Sequence, residues 1–245
     1  MGPWVTVLTP TMEALMHSSA LGRMETCIHR YMRQDRHYDL LDFGSFVNRG
    51  QTLDHRILLQ NYDCTITGVD IQAGRNVDIQ MTRPYRIPVP SNSQDIVISG
   101  QVFEHIPFPW ASFLEIARVL KSGGYFFITV PSRGHRHGTY DLWRYYADSM
   151  RAFAAFADLE LVEAHTSWPP AKEGKRHDLA NVDTEDDYWG DTTGVFRKPR
   201  WKFSPARVIH REIVLRRANH TTELPVPTRK KRRQRRRRAA ADADQ

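Results

Sequence analysis

The sequence has few cysteines and no long apolar run. Its 245 residues include two cysteines, Cys27 and Cys64, too few for a disulfide framework or for a zinc site built from cysteines alone. No apolar stretch reaches the roughly 18 residues that a membrane-spanning helix needs. No basic segment precedes an apolar stretch near the N-terminus, so a secretory signal is not predicted. We therefore expect a cytoplasmic protein without a transmembrane segment.

Most of the chain also lacks an excess of either charge. The net charge is +7, but segment 229–238 alone contains nine basic residues, and Asp242 and Asp244 follow it. The remaining residues carry equal numbers of basic and acidic side chains. The body of the protein therefore predicts no extended basic groove for nucleic acid.

The basic segment belongs to a tail with an unusual composition. From residue 221 the chain is rich in proline, then basic, then rich in alanine and aspartate, and such a composition cannot bury a core. We expect a disordered basic tail over 221–245. Clustered cations bind polyanions through counterion release with little sequence preference, so segment 229–238 predicts non-specific polyanion contact. Residues 229–237 resemble the arginine-rich segment of the lentiviral transactivator.

Strand-like and helix-like patterns alternate along the rest of the chain. Short apolar runs predict strands over 38–43, 65–70, 94–99, 125–130 and 159–164. Helical spacing is found over 12–35, 52–60, 110–120, 147–156 and 204–217. Such alternation is typical of a doubly wound α/β protein whose parallel sheet is covered on both faces. We expect a helical lead-in over 1–37, one domain over 38–220, and an inserted loop region over 167–203.

Two strand ends favour a nucleotide-type ligand. The first strand ends at Gly44, where backbone N–H groups and the next helix can contact a polar group. The second strand ends at Asp70, whose carboxylate can accept two hydrogen bonds from a ribose diol. The dinucleotide fingerprint is not matched, because Gly44 and Gly50 lack the intervening glycine and Phe46 stands where a pyrophosphate needs close backbone approach. These ends predict an adenosine-bearing ligand instead.

Several motifs follow one another in order between residues 38 and 165. They lie at 42–44, 69–70, 85–90, 95–105, 117–124 and 125–131. In this order and spacing the chain resembles the class I S-adenosylmethionine-dependent methyltransferases of the small-molecule type. The resemblance implies the Rossmann-like methyltransferase fold, with a mostly parallel seven-stranded sheet and helices on both faces. It also implies S-adenosyl-L-methionine as cofactor and places the insertion 167–203 on the acceptor side.

The same resemblance implies roles for individual residues. Asp42 would orient the first loop, and Asp70 would hold the ribose hydroxyls. Gly100 and Gln101 would form the floor beneath the sulfonium. The implied cofactor-binding residues are Asp42, Gly44, Ser45, Asn48, Asp70, Ile71, Gly100 and Gln101.

The first loop departs from the family pattern at two positions. The family usually has further glycines where this chain has Phe46 and Asn48. Asparagine tolerates left-handed backbone, whereas Phe46 reduces the room for the cofactor unless its ring points into the core. A methyltransferase-like scaffold without catalysis is therefore one alternative.

Transfer to a hydroxyl acceptor requires a base near neutral pH. His105, with Glu104 beside it, is the first candidate, although it can instead cap the turn before Pro107. In the loop 132–146, His135, His137 and Asp141 can act as base or bind a divalent cation together; we assign no metal site. Trp143, Arg144 and Tyr145 either orient an acceptor or pack on the sheet edge.

The predicted function is O-methylation of a small hydroxylated acceptor, a sugar or a secondary metabolite. The alternative is an RNA or DNA methyltransferase recruited by the tail. The neutral body argues against that alternative, and no Asn/Asp-Pro-Pro-Tyr/Phe motif of base-amine methyltransferases follows Ser99.

Overall fold

The computed structural model describes residues 18–48, 51, 54–137, 140–167, 189–200 and 205–220. The helices in these ranges are α1 Ser18–Tyr31, α2 His55–Leu58, α3 Pro109–Val119, α4 Ala147–Ala157 and α5 Pro205–His220. The strands are β1 Tyr38–Phe43, β2 Cys64–Asp70, β3 Ile79–Gln80, β4 Gln94–Gly100, β5 Leu120–Arg133, β6 Glu160–Thr166 and β7 Gly190–Arg197. No helix in the described part of the chain has both the length and the apolarity needed to cross a bilayer.

The strands form one seven-stranded sheet in the order β3-β2-β1-β4-β5-β7-β6. Strands β1 to β5 pair in parallel, whereas β7 runs antiparallel to both β5 and β6. The prediction of a mostly parallel, doubly wound α/β sheet is confirmed.

Both faces of the central strands are buried, because successive side chains of a strand point to opposite faces. Leu41, Val97 and Phe126 belong to a hydrophobic cluster that also holds residues of α3 and α4. Their strand neighbours belong to a second cluster, which also holds residues of α1. Strands buried on both faces read as continuous apolar runs, which explains why their positions follow from the sequence.

The interpretation of 167–203 as an inserted loop region is wrong for part of that range. Residues 190–197 form β7, which lies between β5 and β6 in the sheet. Its first half is polar, yet Thr192 is fully buried and its hydroxyl donates to the carbonyl of Tyr145 over 2.6 Å. A strand that satisfies polar side chains internally gives no apolar pattern in the sequence.

Other predicted segments are shorter in the structure or lie outside its described residues. The predicted helix 52–60 is reduced to α2, which begins after Asp54, whose carboxylate accepts a hydrogen bond from Arg56 N. The lead-in is described from residue 18 onward as α1. The tail 221–245 and residues 168–188 lie outside the described ranges.

Candidate functional site

The first loop leaves β1 through Gly44, whose φ of +83° is a left-handed conformation that favours glycine. A Cβ atom at this position would lie 2.3 Å from Cγ2 of Val102. Val102 follows β4, so the loops after β1 and β4 touch at the carboxyl edge of the sheet. Both the backbone angle and this contact require glycine here.

Asp42, at the end of β1, forms a buried pair with His55 at the start of α2. The Asp42 Oδ1 atom lies 2.9 Å from His55 Nδ1, and each side chain is 4% exposed. Burial alone would lower the pKa of His55, but the charge and hydrogen bond of Asp42 raise it above its usual value. His55 Nε2 has no hydrogen-bond partner in the described part of the chain and faces Gly100, where a Cβ atom would lie 2.7 Å away. The sequence analysis did not single out His55. The signal that could have found it is Asp54, the N-cap residue directly before it, which marks the start of α2.

Asp70 ends β2 and links two loops at the same edge. Its Oδ2 accepts a hydrogen bond from Phe46 N at 3.2 Å, and its Oδ1 accepts one from Gln72 N at 2.8 Å. Burial raises the pKa of Asp70, although these backbone donors act in the opposite direction. The adjacent Ile71 is 50% exposed. A carboxylate beside an exposed apolar side chain suits a ribose carrying a flat base.

The two departures in the first loop differ in environment. The ring of Phe46 packs on Gly74 in the loop after β2, where a Cβ atom would lie 2.4 Å from Cε2. It does not belong to any of the buried core clusters among the described residues. Asn48 is exposed, whereas Ser45 is buried and its Oγ has no hydrogen-bond partner within the ranges that the structure describes.

Gln101 directs its side chain toward β7. It has a positive φ of 56°, and its backbone N–H donates to the carbonyl of Thr129 over 2.8 Å. Its Nε2 donates to Asp191 Oδ1 over 3.2 Å, while the Ser19 hydroxyl donates to Asp191 Oδ2 over 2.6 Å. Asp191, which is buried, thus connects α1 to the turn after β4.

Glu104, His105 and His137 come together above β4 and β5; we call them the Glu-His cluster. The Glu104 side chain is fully buried, and neither of its carboxylate oxygens has a hydrogen-bond partner among the described residues. Its Oε1 lies 3.6 Å from His105 Nε2 and 3.8 Å from His137 Nε2. The ring centroids of the two histidines are 5.0 Å apart.

The other ring nitrogens of this cluster also face acceptors. His105 Nδ1 contacts the carbonyl oxygen of Tyr140, and His137 Nδ1 lies 3.2 Å from Asp141 Oδ2. The Glu104 carboxylate raises the pKa of His137, burial opposes this effect, and Asp141 adds to it. Burial would raise the pKa of Asp141, but the guanidinium of Arg144 holds it below its usual value.

The structure separates the histidines that the sequence grouped. His137 and Asp141 are in contact as expected, and His105 joins them from the loop after β4. His135 is exposed and lies apart, with its ring centroid 4.8 Å from that of Trp189. The sequence placed Glu104 only beside His105, because contact with a residue 33 positions away depends on the pairing of β4 with β5.

The three residues that follow Leu142 lie against the sheet edge. The Tyr145 side chain is buried, and its hydroxyl donates to the carbonyl of Phe103 over 2.9 Å. Arg144 donates to Asp141 Oδ2 over 2.8 Å. Trp143 is 37% exposed and donates from Nε1 to the carbonyl of Ile106. Tyr145 and Arg144 therefore pack on the sheet edge, the second of the two roles considered from the sequence. Part of the Trp143 ring remains exposed.

Comparison with known proteins gives a family-model match over part of the chain and a shared fold. A family model described as a methyltransferase domain matches residues 49–128. A search of curated proteins gives no match. The YcgJ protein from Bacillus subtilis shares the fold with a TM-score of 0.55 at 15% identity, over 76% of this chain and 100% of that chain.

Two other solved structures extend this likeness. The [4+2]-cyclase SpnF gives a TM-score of 0.52 at 18% identity, over 72% of this chain and 80% of its own. The 1,6-didemethyltoxoflavin-N1-methyltransferase of Burkholderia thailandensis, with bound 1,6-didemethyltoxoflavin and S-adenosylhomocysteine, gives 0.50 at 14% identity, over 74% and 79%. The family-model match over residues 49–128 and this shared fold agree with the methyltransferase fold that the ordered sequence motifs predict.

Proposed function

We propose that this chain methylates a hydroxyl group of a small acceptor, such as a sugar or a secondary metabolite. The observation that carries the proposal is the Glu-His cluster at the carboxyl edge of β4 and β5. An acceptor hydroxyl must lose a proton when its oxygen is methylated, and imidazole and carboxylate groups at this edge reduce the cost of that loss.

The strand-end residues fit S-adenosylmethionine as cofactor. Asp70 keeps lone pairs for the ribose hydroxyls beyond the two that its backbone donors use. Gly44 offers a backbone without a side chain at the first turn, and the unpartnered Oγ of Ser45 lies next to it. The exposed Ile71 provides an apolar surface for the adenine. The roles of these residues remain predictions.

The cofactor and the protein residues would contribute different parts of the methyl transfer. Bound S-adenosylmethionine supplies a methyl group that is already activated on a sulfonium. The residues of this chain therefore have to orient the acceptor and receive or stabilise the charge of its proton. His105 is the histidine of the cluster that is nearer in sequence to the predicted floor residues, and a third of its side chain is exposed.

Aromatic surface beside the cluster supports a sugar or another flat hydroxylated acceptor. Trp189 lies against both His135 and His137, with ring centroids 4.8 Å and 5.5 Å apart. Indole rings combine an apolar face with a polar N–H, which suits the faces of a sugar. SpnF, which has the same fold, is described as a [4+2]-cyclase, so the acceptor class has to be tested directly.

The test is an acceptor screen by product mass. The protein is incubated with S-adenosylmethionine and panels of hydroxylated, amino and thiol compounds, and a mass gain of one methyl group is sought. For the best acceptor, His137→Gln should reduce kcat about 100-fold while the affinity for S-adenosylhomocysteine stays unchanged. His165→Gln, which alters an exposed histidine on β6, is the matched control. Methylation of amines or thiols alone would contradict O-methylation.

A further inference from the structure

The Glu-His cluster contains a carboxylate that lacks a donor. Glu104 is fully buried, and neither Oε1 nor Oε2 accepts a hydrogen bond from the described residues. A buried charge without a partner is costly, and such groups in native proteins are paired or coordinate metals. The closest polar atoms to Oε1 that the structure gives are the Nε2 atoms of His105 and His137, at 3.6 Å and 3.8 Å.

The surroundings of the two imidazoles determine which nitrogens carry protons. In each ring Nδ1 faces an oxygen acceptor: the carbonyl of Tyr140 for His105 and Oδ2 of Asp141 for His137. A neutral imidazole has one N–H and one lone pair, so the proton belongs on Nδ1. In this neutral form the Nε2 lone pairs face the carboxylate, and a cation bound between the three acceptors would satisfy all of them in place of a proton.

We propose that Glu104, His105 and His137 bind a divalent first-row transition-metal ion, with Zn²⁺ as the best match. Two imidazoles and a carboxylate are ligands that zinc favours, whereas Mg²⁺ and Ca²⁺ prefer oxygen ligands. The three ligand atoms lie within 4.8 Å of one another. Bonds of about 2.0–2.2 Å to one tetrahedral ion separate its ligands by roughly 3.5 Å, so the two nitrogen-to-oxygen distances are close to the required values.

The groups behind the ligands complete this arrangement. Metal-bound histidines usually donate their second N–H to a carboxylate or a backbone carbonyl, which fixes the ring and its tautomer. The carbonyl of Tyr140 has this position behind His105, and Asp141 Oδ2 lies 3.2 Å from His137 Nδ1, where bound metal would orient the ring to complete the hydrogen bond. Arg144 in turn holds Asp141 through both carboxylate oxygens. Asp141 is therefore a positioning residue in this site.

Three protein ligands leave a coordination position open for water or substrate. The use of that position for the acceptor hydroxyl rests on the proposed function, whereas metal binding itself does not. A cation lowers the pKa of a bound hydroxyl, so that its proton passes to solvent water more readily near neutral pH. The ring of Trp189 borders the cluster beside His137, where it can contact the rest of the acceptor.

The test measures metal binding by the full chain without cofactor or acceptor. Protein freed of metal with a chelator is titrated with Zn²⁺ in a calorimeter and with Co²⁺ in a spectrophotometer, because the visible bands of Co²⁺ report its ligand geometry. One equivalent should bind with tetrahedral-type bands. Glu104→Gln and His137→Gln should lower the affinity more than about 100-fold, and Asp141→Asn about 10- to 100-fold. His165→Gln should leave it unchanged.

Two results would overturn the proposal: no stoichiometric uptake by the wild-type protein, or uptake that survives Glu104→Gln in a protein whose circular dichroism is native. The wild-type titration decides even if a variant does not fold. Since no acceptor is present, failure here leaves the methylation proposal standing, and failure of the acceptor screen leaves the metal site standing.

Discussion

Arg118 forms a bidentate ion pair with Glu115, which lies one turn earlier on α3. Arg118 Nε lies 2.8 Å from Oε1, and Nη2 lies 2.7 Å from Oε2. The Arg118 side chain is 5% exposed and that of Glu115 is fully buried. Glu115 also accepts from Ile87 N at 3.0 Å, and Arg118 donates to the carbonyls of Ile87 and Val89. The pair thus attaches the segment 85–90 to α3.

Breaking this pair should destabilise the protein strongly. Arg118→Met leaves the buried Glu115 carboxylate with only the half-exposed Arg86 as a charged partner at 3.4 Å, and we expect a loss of about 3 kcal/mol in the free energy of unfolding, measured by urea denaturation. Combining it with Glu115→Leu should cost less than the sum of the single changes. Arg151→Ala, at an exposed pair on α4, should have little effect. A strictly additive double variant would show that the two residues do not interact.

The pair of His55 and Asp42 should make stability depend on pH. Because the folded-state pKa of His55 is raised, its contribution is complete below the unfolded value of about 6.5 and is lost as pH rises through the folded value. The free energy of unfolding of the wild-type protein should therefore fall relative to that of His55→Gln as pH rises above about 6.5. Parallel curves for the two proteins would contradict the pairing.

Asp70 should control the affinity for the cofactor. On the proposed ribose role, Asp70→Ala removes the acceptor for both hydroxyls and should weaken S-adenosylhomocysteine binding roughly 100-fold, since hydrogen bonds to a charged group contribute about 1.5–3 kcal/mol each. Calorimetry measures the affinity, and the melting temperature confirms folding. Asp63→Ala, at an exposed carboxylate paired with His37, is the control. Unchanged binding would refute the ribose role.

Two glycines should respond in opposite directions to substitution by alanine. At Gly68, a Cβ atom would lie 1.9 Å from the backbone carbonyl of Asn76, so Gly68→Ala should destabilise the fold by roughly 3 kcal/mol or more. Gly22 is exposed within α1 and has no atom within 4 Å of the Cβ position. Gly22→Ala should stabilise by about 0.5–1 kcal/mol. Urea denaturation measures both; a neutral Gly68→Ala would show that the loop after β2 can move away from that strand.

The basic tail should act independently of the methylation site. Deletion of residues 229–245 should leave kcat on a small acceptor unchanged, because the neutral body carries the site residues. The same deletion should abolish salt-dependent binding to RNA or heparin, since the clustered cations release counterions on binding. Fluorescence titration at several salt concentrations checks this. Methylation of nucleic acid that is lost with the tail would favour the alternative function.

The sequence predicted the central strands but not β7, because only the central strands appear as apolar runs. Strand β4 is buried at every position, so it appears as an apolar run between polar loops. Strand β7 is also buried, but its polar Thr192 is satisfied by hydrogen bonds with Tyr145 and Thr166. Only the packed structure provides these partners, and the local pattern of β7 therefore resembles a loop.

The sequence by itself determined the alternation of buried strands and helices, the glycine turn after β1 and the acidic end of β2, because each depends on neighbouring residues. Only the tertiary structure decided that Glu104 lies between two histidines while His135 contacts Trp189. That choice depends on the pairing of β4 with β5, in which Gly100 lies opposite Thr129. Parallel pairing brings together the loops that follow the two strands, and side chains far apart in the chain then share one buried space.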